Sequence, residues 1–301
     1  MKKGLWLVFF TAIISGISIF INAFGVQGIN PFVFTGAKNL VVGILLLSII
    51  FFAKDFKSLK KLKVRDWRNL SLIGLVGGSI PFLLFFKGLQ LATPAQGSFV
   101  HKTMIVWVAI FALFFLKEKL NFKIVIGAIA LLAGNFLLLK LSSFDLTLGI
   151  WLIFLATLFW TAEIIISKRV LTTLSGNTVA FGRMFFGSVF IMIFLLATNQ
   201  FSIAFTLSST QFIWIFVTSA FLLGYVLTFY NGLKTVNAST AVAILAVGSV
   251  VTTLLNLIFL DKLITLSQIA GLILLVVGVL AFTLNVETFK KLYSNFSTAK
   301  P

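Results

Sequence analysis

Ten long apolar runs follow one another through this chain of 301 residues, with gaps too short to hold a soluble domain. A helix needs about 20 mostly apolar residues to cross a bilayer. Runs of that length occupy 4–24, 32–53, 67–90, 94–116, 122–140, 146–167, 177–198, 209–231, 236–260 and 266–285. The composition agrees, at 60% hydrophobic, 10% charged and a mean hydropathy of +1.14. A soluble domain is about half apolar and about a quarter charged. The pattern predicts an all-α integral membrane protein with ten transmembrane helices. Lys2 and Lys3 ahead of an apolar run imitate a secretion signal, but the run is too long and lacks a clear small-residue cleavage site. It reads as a retained first span.

The net charge of +17 does not point to nucleic acid, because the basic residues sit in the gaps between apolar runs. With the N-terminus inside, 18 of them fall in cytoplasmic segments, from Lys2 and Lys3 through Lys54, Lys57 and the run to Arg68, then on to Lys290, Lys291 and Lys300. Only Lys140 and Lys262 fall outside. Such a bias orients multi-span proteins, and it predicts a cell-membrane protein with both termini cytoplasmic. Zero cysteines and one histidine remove disulfides, thiolate metal sites and multi-histidine metal sites. No metal and no cofactor are expected, and the partners expected are a small-molecule solute and the lipid bilayer.

The chain also repeats itself. FKGLQLATPAQ at 86–96 matches YNGLKTVNAST at 230–240, and FLKEKL at 115–120 matches IFLDKL at 258–263. Gly127 and Gly134 return as Gly271 and Gly278. Five spans make one copy, and five is odd, so the second copy crosses the membrane inverted. The expected units are 1–143, 144–286 and a cytoplasmic tail at 287–301. Inverted repeats of this kind build secondary transporters with a site near the midplane.

Ten spans as two inverted sets of five resemble the EamA-type carriers of the drug/metabolite transporter superfamily. So do the closing patterns KEKLNFKIVIGAIALLAGNFLL and DKLITLSQIAGLILLVVGVLAF, and an early basic residue in each second span, Lys38 in FTGAKNLVVG and Arg183 in VAFGRMFFGS. The resemblance implies a secondary carrier of small organic metabolites, often an exporter.

Polar residues inside apolar spans narrow the site. Thr11, Ser15, Ser18 and Asn22 lie on one face of span 1. The matching positions of span 6 are Ala156, Trp160, Glu163 and Ser167, so Glu163 lies on the face that is polar in its mate. An intramembrane carboxylate is costly and marks a pathway or a buried pair. Arg183 lies at similar depth and can pair with it, as a structural bridge or as part of the site. Lys87 lies near a span end and reads as snorkelling. His101 and Lys102 are adjacent, so they diverge by about 100° on a helix, and an interior spanning both faces is expected to accept them. Pro81 follows Gly74, Gly77 and Gly78 and predicts a broken helix beside the site. Tyr225, Tyr230 and Trp160 offer flat faces with polar tips. Ser249, Thr252 and Asn256 form a stripe, either packing contact or cavity wall. The glycine pairs of spans 5 and 10 read as packing faces or as a homodimer surface.

The expected substrate-binding set is Ser18, Asn22, Lys38, His101, Lys102, Trp160, Glu163, Arg183, Tyr225 and Tyr230, with Glu163 and His101 as candidates for proton coupling. Four basic side chains against one acid favour an anionic or zwitterionic solute, such as an amino acid or a related carboxylate. Two other classes stay open: a flippase for a lipid-linked substrate, and an intramembrane enzyme using His101 and Glu163 as acid and base.

Overall fold

Side-chain caps open several of the helices. Thr93 accepts from Gln96 N and Ser208 from Gln211 N, each inside a reciprocal capping box, while Thr147 and Ser175 cap the sixth and seventh spans. Such caps satisfy amide donors that a helix start leaves orphaned. The computed structural model describes residues 2–25, 28–52, 59–119, 122–139, 146–260 and 264–283. Lys54, Lys57, Lys140, Lys262, Lys290, Lys291, Lys300, the expected boundary at 143/144 and the tail at 287–301 lie outside them.

Among the described residues, ten helices are long and apolar enough to cross a membrane: Lys2–Gly25, Pro31–Phe52, Val64–Leu89, Ala95–Leu116, Phe122–Leu139, Leu148–Val170, Gly176–Ala197, Ser209–Leu233, Ala238–Leu260 and Leu266–Thr283. They are numbered spans 1 to 10 below. Large apolar side chains such as Phe52, Phe114 and Ile213 stay exposed on the outside, as expected where lipid completes the burial.

The packing is duplicated. Span 1 lies on span 8, and span 6 lies on the second half of span 3. Span 1 meets the second half of span 9 as span 6 meets that of span 4. Span 2 packs on span 7 and span 5 on span 10, each element against its own mate. These exchanges fit a two-fold relation between two five-helix repeats of opposite direction.

Spans 5 and 10 approach most closely at their glycines. A Cβ on Gly134 would stand 2.7 Å from the Gly271 carbonyl, and one on Gly271 would stand 2.8 Å from the Gly134 carbonyl. A Cβ on Gly127 would stand 2.9 Å from the Phe282 ring. These glycine faces are occupied inside one chain, so of the two readings, packing face and homodimer surface, the contacts between spans 5 and 10 support the packing face.

Among the described residues, three spans are interrupted. Span 3 divides into Val64–Gly78 and Ile80–Leu89, span 4 into Pro94–Lys102 and Met104–Leu116, and span 9 into Ala238–Leu245 and Val247–Leu260. The breaks in spans 4 and 9 are repeat mates. At both, the backbone tightens: Thr103 N bonds Val100 O at 3.1 Å and Ala246 N bonds Ala243 O at 3.1 Å, the short-range pattern of a 3₁₀ turn. Span 8, the mate of span 3, runs unbroken through Ser209–Leu233.

Candidate functional site

The break in span 3 follows from Pro81. Proline has no N–H, so the carbonyl four residues earlier, at Gly77, loses its helical donor. Phe82 N turns to Ser79 O at 3.0 Å, which frees the Gly78 carbonyl as well. Buried carbonyls need partners, and side chains from three other spans supply them. Trp160 Nε1 donates to Gly77 O at 3.1 Å and Arg183 Nη2 donates to the same oxygen at 3.3 Å. Asn39 Nδ2 donates to Gly78 O at 2.9 Å.

Glu163 packs directly on Gly77, whose missing side chain makes the room. Its Oε1 accepts from Ser167 Oγ at 2.5 Å and from the Tyr230 hydroxyl at 2.7 Å. Glu163 and Tyr230 are buried. The Arg183 guanidinium lies within electrostatic reach of Tyr230, Glu163 and Tyr225. Glu163 is seven residues from the end of span 6 and Arg183 seven from the start of span 7, about 10 Å deep in each case at 1.5 Å per residue. The two therefore share a depth, and both meet Gly77, Glu163 by packing on it and Arg183 through its carbonyl. Two polar atoms in this cluster, Arg183 Nε and Asn39 Oδ1, are buried with no partner among the described residues. Buried polar groups left unpaired are uncommon and call for a reason.

His101 and Lys102 go separate ways. The His101 ring stands edge-on to Trp160 at 4.9 Å and to Phe85 at 5.7 Å, which places it beside the broken span 3. Lys102 points instead into a cavity of about 270 Å³ shared with Ser98, Asn135, Ser249, Asn256 and Gln268. The expected single interior spanning both faces is thus two environments, because adjacent helical residues face different neighbours. The Ser249 stripe is cavity wall, and its Thr252 Oγ1 also donates to Gly16 O at 2.8 Å.

Ser18, Asn22 and Lys38 do come together. Lys38 Nζ donates to Asn22 Oδ1 at 2.8 Å, and Asn22 Nδ2 donates to Ser18 Oγ at 2.9 Å. The ammonium also lies over the Phe34 ring at 4.8 Å. Tyr230 is fully buried with its hydroxyl engaged, so it acts as a tie and not as a free ring face. Tyr225 is stacked on Phe229 at 5.6 Å. Lys87 is exposed and reaches only Gln90 among the described residues, at 3.5 Å, in keeping with snorkelling. Thr11 bonds Thr228 at 2.8 Å as a packing contact.

Several polar residues of this interior escape a reading of the sequence. Asn39 directly follows Lys38 and is buried on the break. Glu118 counts in the sequence as a loop residue, yet its carboxylate is buried and accepts from Ala238 N at 2.6 Å, Ser239 N at 3.3 Å and Ser239 Oγ at 2.6 Å. Lys168 donates to Leu233 O at 2.6 Å and Val236 O at 2.7 Å. The signal for Glu118 was the acid shared by the two closing patterns, Glu118 and Asp261.

A duplicated ten-helix membrane core, with polar and charged groups buried where the repeats meet, defines a multi-pass membrane protein of the transporter type. The chain belongs to the EamA-like transporter family, whose pattern matches it twice, over residues 2–140 and 147–284. It is similar to an uncharacterized transporter of Clostridium kluyveri, 25% identical over 92% of this chain and 92% of that one. A WAT1-related protein of Arabidopsis thaliana is 29% identical over 38% of this chain and 34% of its own length. A solved crystal structure shares the fold at a TM-score of 0.76, with 18% identity over 92% of this chain and 96% of that one.

Proposed function

We propose that this transporter is a secondary carrier that exports a small carboxylate-bearing metabolite by alternating access, from a cell membrane in which both termini are cytoplasmic. One observation carries the reading: the cluster of Glu163, Tyr230, Arg183 and Trp160 around the opened Gly77 carbonyl. That cluster draws side chains from spans 6, 7 and 8 of one repeat onto a broken span of the other. Polar groups at such a junction tie the two halves through bonds that can be exchanged, which a rocking carrier needs. Export is the direction that the resemblance to known carriers implies. The 18-to-2 distribution of basic residues supports the orientation. The sequence holds no ATP-binding loop, so an ion or solute gradient would drive transport, and Glu163 and His101 are the candidate proton carriers.

The test is counterflow in proteoliposomes holding the purified full chain, with a panel of labelled carboxylates and with or without a pH gradient. Saturable flux that falls in Glu163→Gln and responds to the gradient is expected. A rate indifferent to the gradient, with Glu163→Gln fully active, removes proton coupling. A folded protein that moves no solute removes the carrier itself.

A further inference from the structure

Resting on the carrier reading, we propose that the cavity at Lys102 receives a small organic monoanion whose other polar groups are neutral, such as a 2-hydroxy carboxylate, in preference to an amino-acid zwitterion. The cavity holds about 270 Å³, which at roughly 30 Å³ per water is space for about nine waters. Its described lining comes from both repeats: spans 1, 4 and 5 of the first, spans 9 and 10 of the second. Lys102 lies beside the break of span 4, and Ser249 lies just past the mate break of span 9. A solute seated here touches the interrupted spans 4 and 9 at once.

Lys102 is the sole ionic group among the described lining residues. Its ammonium makes no hydrogen bond or ion pair with another described residue, and neither the Ser98 hydroxyl nor the Asn256 amide makes a hydrogen bond with one. Much of the remaining lining is engaged. Asn135 donates to Leu131 O at 2.8 Å and accepts from Ser249 at 3.3 Å, while Gln268 donates to Leu138 O at 3.1 Å. The open groups are therefore one cation, one hydroxyl and one amide. Ser98 and Lys102 are four residues apart and share a helical face, so a carboxylate can take both in charge-assisted bonds. The Asn256 amide both donates and accepts, which suits a hydroxyl or carbonyl.

An amino acid brings a second charge that this lining does not meet. Neither buried acid, Glu163 or Glu118, is part of the described cavity wall, and both already accept hydrogen bonds, Glu163 from Ser167 and Tyr230 and Glu118 from Ala238 and Ser239. An ammonium buried without an anion loses its hydration uncompensated.

Matched pairs isolate that one charge. The thermal midpoint of the detergent-purified full chain is measured with sodium lactate against alanine, and with 2-hydroxyisocaproate against leucine, at equal ionic strength. The hydroxy acids are expected to raise the midpoint by several degrees and the amino acids to leave it unmoved. Lys102→Met should abolish the shift and Lys102→Arg should keep it. Asn256→Asp, which supplies the missing anion, should reverse the preference toward the amino acids. Equal or better stabilisation by amino acids, a shift that survives Lys102→Met, or no shift from either hydroxy acid overturns the inference. Flux assays with the same pairs separate it from the carrier reading. Transport of alanine without lactate overturns this site and leaves the carrier standing. A Lys102-dependent shift without any flux keeps the site and removes the carrier.

Discussion

The Tyr230 hydroxyl donates to Glu163 Oε1 at 2.7 Å although the two residues lie 67 positions apart in the chain, on spans 8 and 6. Both are buried, and Ser167 completes the carboxylate's partners at 2.5 Å. Tyr230→Phe removes one donor and leaves the buried Glu163 Oε1 with Ser167 alone as its partner among the described residues. Leaving such a group unsatisfied costs about 1–3 kcal/mol. The variant should unfold at a lower temperature in detergent by that margin. Glu163→Gln keeps an acceptor for both hydroxyls while removing the charge near Arg183. It should be the milder change in stability and the more severe one in transport. The reverse ranking would show that the hydrogen bonds, and not the charge, set the role of this position.

Pro81 and Gly77 make opposite predictions. Pro81→Ala restores an N–H that can bond Gly77 O, so span 3 should close and compete with Trp160 and Arg183 for that oxygen. Removing an interior proline relieves a helix of about 3 kcal/mol in unstrained cases. The variant should hold or gain stability while losing transport. Gly77→Ala places a Cβ on the Glu163 side chain and should lower the unfolding midpoint, since overpacking costs about 1–3 kcal/mol. A Pro81→Ala protein with undiminished flux would show that the opened helix is not needed for transport.

The ten spans were legible because length and hydropathy alone select them, and each lies within a few residues of its expected bounds. The break at Pro81 was legible because a missing N–H is a local fact. So was the common depth of Glu163 and Arg183, which needs only the helical rise. What joins them was not. Tyr230 reaches Glu163 through the packing of span 8, and no local spacing encodes a contact between spans 6 and 8. His101 and Lys102 show the same limit: the 100° between them was readable, but not that one face meets Trp160 and the other a cavity. Glu118 was hidden because a charged residue in a span gap resembles an ordinary interfacial charge, and only the start of span 9 folded against it makes it a buried clasp.

Spans 5 and 10 supply a test of packing against association. Gly134 and Gly271 face one another's carbonyls so closely that a Cβ at either position would lie 2.7 or 2.8 Å from the opposite oxygen. Gly134→Leu should force the helices apart and lower the unfolding midpoint by an amount equivalent to about 1–3 kcal/mol. The mass of the detergent-solubilised particle by light scattering should not change. A variant that altered the mass while leaving stability intact would return these glycines to an interface between chains.

On the face that carries the N-terminus, Glu118, just past the end of span 4, holds the first amides of span 9 across the repeat boundary. A carboxylate at a helix start gains both from the orphan N–H groups and from the helix dipole. Arg169 Nη2 donates to Phe115 O and Lys168 to Leu233 and Val236 on the same face. Glu118→Ala leaves the Ala238 and Ser239 amides and the Ser239 hydroxyl without their acceptor, at about 1–3 kcal/mol for a buried donor stranded in this way. If this clasp keeps the face shut, its loss should open the region around Val236, which is 4% exposed. The chain has no cysteine, so Val236→Cys provides a single thiol for maleimide. Labelling should be slow in that background, several-fold faster with Glu118→Ala and intermediate with Glu118→Gln, which retains one acceptor oxygen. Equal labelling rates in all three would place the closure of this face on apolar packing and not on the Glu118 carboxylate.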